Sequence, residues 1–204
     1  MNAWLVRPFP NNQNRINEFH AQSMVAIGWP GIGNLTGKSR EDIKKILAQP
    51  PYNAKGLELG NAYATIDIFV NQANIGDLVL VPNGDDIYFA EIVSDYKFEA
   101  SVIIDGYPHQ RDVRWISSTS RSALSKELRT SLKVHRTTAN LSRHSEEIEA
   151  LATGRTVPAA TASPIDVVYP LRPDFSVGFK IPADISKLEA ERLSAFFSTL
   201  HFVE

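Results

Sequence analysis

The chain has 204 residues, 43% of them hydrophobic and 22% charged, which supports a buried core in one large domain or one domain with a smaller appendage. It contains no cysteine, which excludes disulfides, thiolate metal sites and cysteine nucleophiles. A formal net charge of −2 argues against non-specific coating of nucleic acid, which needs many phosphate-neutralising cations, and no apolar run is long enough to span a membrane. The N-terminus, Met1-Asn2-Ala3-Trp4-Leu5-Val6-Arg7-Pro8, lacks the charged start and long apolar stretch of a signal peptide, so a cytoplasmic location is the expectation.

Ala3 to Val6 reads as a short strand, stopped by the Pro- and Asn-rich segment from Arg7 to Asn12. Arg15 to Gln22 has the spacing of a short helix with Ile16 and Phe19 on one face, and Met24 to Trp29 reads as an apolar strand. The segment Pro30-Gly31-Ile32-Gly33-Asn34 is a loop by composition. Ser39 followed by Glu41 and Asp42 predicts a capped helix that carries Ile43, Ile46 and Leu47 and ends at Pro50-Pro51. Leu57 to Val70 predicts a longer helix with Leu59, Tyr63, Ile66 and Val70 on one stripe. From Gly76 the pattern changes. Leu78 to Pro82, Asn83-Gly84-Asp85-Asp86 and Ile87 to Val93 form a hairpin signature, and Tyr96 and Phe98 lie at its far end. Val102-Ile103-Ile104 and Arg111 to Ile116 read as two further strands, and many short strands separated by turn residues suggest a barrel.

Helical spacing returns at Ser122, with Ala123, Leu124, Leu128 and Leu132 on one helix and Leu141, Ile148 and Leu151 on another. Thr153 to Pro164 has the composition of a linker. Ile165 to Tyr169 and Ser176 to Ile181 read as strands. Ser186-Lys187-Leu188-Glu189 is a capping-box pattern opening a helix with Leu193, Phe196, Phe197 and Leu200 on one stripe. Such a ββα tail is small for independent stability and suggests docking on a partner or dimerisation.

Charge is uneven along the chain. Residues 1 to 117 hold ten Lys/Arg against thirteen Asp/Glu. Residues 121 to 144 hold Arg121, Lys126, Arg129, Lys133, Arg136 and Arg143, with His135 and His144, against Glu127 alone. A run of this kind is ordinarily a solvated helix surface; its other use is to grip a phosphate backbone.

No catalytic constellation is visible. Pro173-Asp174 followed by Lys180 matches half of a restriction-nuclease pattern, but no acid sits two residues before Lys180, and no carboxylate cluster is spaced to hold magnesium. The histidines His20, His109, His135, His144 and His201 are scattered, without the paired spacing of a zinc site. His109 stands apart, because a regular strand would place it on one face with Arg111 and Val113. The glycines of Gly28-Trp29-Pro30-Gly31-Ile32-Gly33 lack the lysine-serine pair of a phosphate loop. No cofactor and no metal is therefore expected. All three tryptophans, Trp4, Trp29 and Trp115, lie in the first 117 residues. Trp4 is assigned to the core. Trp29 and Tyr96, at strand ends, are the rings placed to face a flat ligand.

The succession Trp4-Leu-Val-Arg, Val25-Ala-Ile-Gly-Trp29, Gly76-Asp77-x-Val79, Ala90-Glu91-Ile92-Val93-Ser-Asp95-Tyr96 and His109-Gln-Arg111-x-Val113-x-Trp115 resembles the EVE-like branch of the PUA-like superfamily. The resemblance is to modules found beside modification-dependent restriction enzymes of the McrB and Mrr types, and it covers residues 1 to about 117. It implies an α+β fold: a PUA-like (EVE-type) twisted β-barrel with packed helices over 1–117, a helical segment over 118–153, a linker over 154–164 and a ββα unit over 165–204. It also implies a non-enzymatic reader that flips a modified base, in DNA before RNA, into an aromatic pocket, in a bacterial restriction or defence setting. Carried over by position, Trp29 and Tyr96 form that pocket, with Trp115 a third ring and Gly28 and Asp95 at its border. Arg111 and Arg114 would touch phosphate, and Arg121, Lys126, Arg129, Lys133 and Arg136 would hold the backbone. A reader with no attached nuclease implies an effector protein as partner. The alternative is a protein-interaction or scaffold module acting through the ββα unit as a homodimer or docking surface. An enzyme acting on a small ligand in the barrel has no nominated nucleophile or base.

Overall fold

The computed structural model describes residues 1–155, 165–181, 185 and 187–199. Residues up to Thr156 form one compact unit and those from Val157 a second. The expected boundary at residue 117 therefore falls inside a domain, within a strand that runs on to Ser120.

The larger unit is α+β. Its strands are β1 (Ala3–Val6), β2 (Met24–Ile27), β3 (Leu78–Asn83), β4 (Asp86–Ile92), β5 (Lys97–Phe98), β6 (His109–Ser120) and β7 (Thr138–Asn140). They pair in the order β2-β6-β4-β3-β1-β7, with β5 also on β6, and only β1 and β3 run parallel. β6 spans twelve residues and carries two ladders. Its first half pairs with β2 and β5, and its second half with β4, where the register skips a residue opposite Phe89 and Ala90. Such irregularities bend a strand. β2 and β7 end the order and share no ladder among the described residues, so the sheet is a curled half-barrel where the sequence suggested a closed barrel.

Both faces of the central strands are covered, which is why β1 and β3 read as unbroken apolar runs. Alternate residues serve opposite cores. Trp4, Val6, Val79, Val81, Ala90 and Ile92 face a first core shared with α1 (Ile16–Ala21), α2 (Arg40–Leu47) and α3 (Gly56–Asp67). Ala3, Leu5, Leu78, Leu80, Ile87 and Phe89 face a second. That one is closed by Leu124, Leu128 and Leu132 around α4 (Lys126–Ser131) and by Leu141, Ile148 and Ala152 around α5 (Ser145–Thr153). Fully burying one such side chain contributes about 1.5–3 kcal/mol.

Local chemistry sets the element ends. Ser39 and Asp42 cap α2 reciprocally, as expected, each side chain bonding the other's backbone N–H. α3 runs on as a π-helical turn, Ile68–Gln72. Trp4 is buried as expected, and its indole donates to Asp77 Oδ2 at 2.9 Å. Burial alone would raise the Asp77 pKa. Hydrogen bonds from Trp4 and from the backbone N–H groups of Asn2 and Asn74 outweigh it and hold the carboxyl below its usual range.

Two local expectations are corrected, and one strand is added. Val102-Ile103-Ile104 is not a strand; a 3-10 turn covers Ala100–Val102, and Ile104 is 92% exposed with no neighbour to cover it. Thr138–Asn140 is a strand that no apolar alternation announces. The helix expected from Ser122 is confined to α4, although its leucine stripe is buried as read.

The smaller unit pairs β8 (Ile165–Arg172) with β9 (Phe175–Ile181) antiparallel, and Phe197 of α6 (Lys187–Thr199) lies 5.6 Å from Phe179 between ring centres. This is the ββα succession expected. Most of the expected linker, with Ser186 and Leu200, lies outside the described residues.

Candidate functional site

β2 delivers the chain to Gly28 and Trp29, and a 3-10 turn, Pro30–Ile32, follows. Trp29 takes a left-handed conformation, φ 64° and ψ 50°, which is uncommon for a residue with a bulky side chain. Such a conformation costs on the order of 1–3 kcal/mol and persists only where the surroundings hold it. The holding group is His109, the first residue of β6 and 0% exposed. Its Nε2 lies 3.1 Å from the Trp29 carbonyl oxygen, and its Nδ1 lies 2.7 Å from the Tyr96 hydroxyl.

The partners fix the direction of this chain. A carbonyl only accepts, so Nε2 carries the imidazole proton and donates to Trp29. Nδ1 is then the acceptor, and the Tyr96 hydroxyl donates to it. The same hydroxyl accepts from the Leu35 backbone N–H at 3.2 Å. Burial lowers the His109 pKa to about 4 and pushes the Tyr96 phenol up to about 12, so both groups are neutral near pH 7. The Tyr96 ring stacks on His109 at 5.9 Å and 21°, and Phe98 packs against His109 at 5.4 Å.

This strut ties three loops together: 28–36, which also receives the Tyr52 hydroxyl at the Gly31 N–H, 93–98, and the start of β6. Trp29, Tyr96, Phe98 and Tyr52 are each half-buried, so the rings are neither sealed in the core nor free of it. Asp95 beside them is exposed. With both nitrogens of His109 engaged and Tyr96 held protonated, neither of these two groups is free to act as a base, and the cluster offers flat faces and hydrogen-bonding groups.

Other expected site residues lie elsewhere. Gly28 is buried, and a Cβ there would meet Asn11 and Gly106 backbone atoms at 3.6 Å, so it borders a neighbouring loop. Trp115 sits six residues from His109, about 20 Å along an extended strand. There it forms a second aromatic group, 4.1 Å from the His20 ring and 6.2 Å from Tyr88, which itself lies 4.7 Å from that imidazole. It is not a third wall of the Trp29–Tyr96 cluster. Arg111 is 3% exposed and cannot meet a phosphate on the surface. Its guanidinium donates to the carbonyls of Phe69 and Val70 in the π-helical turn and of Ser94, and burial lowers its pKa.

Arg114 is exposed but pairs with Glu91, Arg121 donates twice to the Gly84 carbonyl, and Arg136 donates to Asn61. Lys126, Arg129 and Lys133 are exposed around α4. That helix covers the second core, whereas Trp29 and Tyr96 pack on the first. The cations on and around α4 and the aromatic cluster thus belong to opposite faces of the sheet, whereas Arg136 reaches Asn61 of α3. The residue that sequence reasoning noticed but left out of the site is His109. Its signal was a polar pair, His109 and Arg111, alternating with Val113 on a central strand.

Among the described residues no group of three or more His, Asp or Glu is placed to hold a metal ion, and no helix is long and apolar enough to cross a membrane. No curated protein and no solved structure matches the chain. Residues 4–141, from the first buried strand to the turn leading into α5, match the family described as Domain of unknown function (DUF8426), and with more than half of its length matched the chain belongs to that family.

Proposed function

We propose that the chain reads a modified base in nucleic acid, DNA before RNA, by receiving a base turned out of the stack against Trp29 and Tyr96. The observation that carries this reading is the buried His109 strut, which holds two half-exposed aromatic loops in fixed relation, one of them in a strained conformation. Structure of this kind is what a preorganised stacking site requires. Extruding a base costs a few kcal/mol, and stacking on side-chain rings returns about 1–3 kcal/mol per base. Asp95, exposed beside Tyr96, can accept from an exocyclic amine. Lys38, exposed and three residues after Leu35 on the loop tied to Tyr96, is the candidate for a phosphate contact in place of the cations around α4. An effector protein receives the signal, as fits a reader in a restriction or defence setting.

The test is fluorescence anisotropy with a panel of oligonucleotides, plain and carrying common base modifications. The wild type is expected to prefer at least one modified strand, with affinity falling steeply as salt rises. Trp29→Ala is expected to abolish the preference. Equal binding of all strands by the wild type, or unchanged discrimination in the variant, would overturn the reading.

A second reading, an interaction module, draws on the smaller unit, where Val168, Tyr169, Leu171, Phe175, Phe196 and Phe197 are exposed. Sedimentation mass in solution distinguishes it: a monomer at high concentration removes its homodimer form.

A further inference from the structure

The far side of the sheet carries a cavity of about 430 Å³, lined by Lys126, Glu127, Thr130, Arg143 and His144, beside α4 and the turn that precedes α5. Its wall is internally braced. Arg143 Nε donates to His144 Nε2 at 3.0 Å, its Nη2 donates to Ser131 Oγ, and Ser131 Oγ lies 2.9 Å from the same imidazole nitrogen. A guanidinium has no acceptor, so His144 Nε2 is the unprotonated nitrogen and the imidazole proton sits on Nδ1. Burial, and then the Arg143 charge, lower the His144 pKa and keep that ring neutral.

One edge of Arg143 is thus committed to the wall. No hydrogen bond within the described residues engages its Nη1, the His144 Nδ1–H or the Lys126 ammonium. The three residues line one cavity and carry two full positive charges, which suits an anion with several oxygens. Glu127 borders the same space. A bare anion gains nothing from a carboxylate, whereas an anion that also carries hydroxyl groups gains an acceptor. The volume suits a ligand of nucleotide size.

We propose that this cavity binds a phosphate monoester of nucleotide size, its phosphate on Arg143, Lys126 and His144 and its sugar hydroxyls toward Glu127. The site is independent of the base-reading cluster. Isothermal titration calorimetry on the full chain tests it with a ribonucleoside 5′-monophosphate, the matching nucleoside, inorganic phosphate and a 5′-phosphorylated oligonucleotide, all at constant ionic strength. The monophosphate is expected to bind at least tenfold more tightly than either the nucleoside or inorganic phosphate. Lys126→Gln, at an exposed residue whose ammonium has no hydrogen-bond partner among the described residues, is expected to weaken it roughly tenfold, the size of one charge-assisted hydrogen bond. Arg143→Gln weakens it further, and Trp29→Ala leaves it unchanged. Equal affinity for nucleoside and monophosphate, or an unaltered Lys126→Gln variant, would sink the proposal. Tighter binding of the oligonucleotide than of the monophosphate would assign the cavity to a strand end and overturn the small-molecule form. Loss of modified-base discrimination in Trp29→Ala, with monophosphate binding intact, separates the fate of this site from that of the base reader.

Discussion

Burial holds the His109 imidazole at a pKa of about 4, against about 6.5 for a solvated histidine, and this difference links folding to pH. Between those values the unfolded chain binds a proton that the folded chain refuses. Stability is therefore complete above pH 6.5, falls as pH drops through the window, and loses no more from this residue below pH 4. The span corresponds to about 3 kcal/mol. Urea unfolding from pH 7.5 to 4 is expected to show that slope, and His109→Gln is expected to flatten it. An unchanged slope in the variant would show that His109 titrates normally. Arg111 makes a different point. The family resemblance implied a phosphate contact for it, yet its guanidinium donates to carbonyls of the π-helical turn that follows α3. Arg111→Met leaves those carbonyls unpaired and is expected to cost about 3 kcal/mol in the same assay. Nothing in the residue types distinguishes Arg111 from Arg114, because the decision lies with a π-helical turn some forty positions away in sequence.

Elements with strong local signals were legible before the structure: the Ser39–Asp42 cap of α2, the stripe of α3, the hairpin of β3 and β4 and the ββα succession. Elements whose existence depends on a distant neighbour were not. β7 has three residues, Thr138, Ala139 and Asn140, and is a strand only because β1 offers it an edge. Val102 to Ile104 has the composition of a strand, but it joins no ladder among the described residues and its start lies in a 3-10 turn. α4 illustrates the same dependence in a helix. Six residues are too few to be stable on propensity alone, and burial of Leu124, Leu128 and Leu132 supplies what propensity lacks. Leu128 is fully buried, and Leu128→Ala is expected to cost about 3 kcal/mol and to raise amide exchange throughout α4. Exchange raised evenly over the larger unit would instead mean that α4 does not open by itself.

At the scale of the molecule, the sheet separates two chemistries that a linear reading had joined. The basic stretch was expected to hold the backbone of the strand whose base the aromatics receive; the cations around α4 instead pack on the opposite core. Both cores lie wholly within residues 1–156, so that fragment is expected to unfold in one cooperative transition, with a melting temperature within a few degrees of the intact protein. A broad, non-cooperative melt of the fragment would show that the smaller unit is needed to complete the fold.

The position of β1 has a temporal consequence. Leu5 is flanked by Leu80 on one side and Ala139 on the other, so this tetrapeptide finds both permanent neighbours only after most of the unit that follows it has been made. At roughly 10 residues per second, that wait is on the order of ten seconds. Throughout it, Ala-Trp-Leu-Val is a sticky, unsatisfied edge in a crowded cell. Birth order and assembly order are inverted here: β1 is made before both of its partners, and mispairing or chaperone capture threatens it for the whole of that interval.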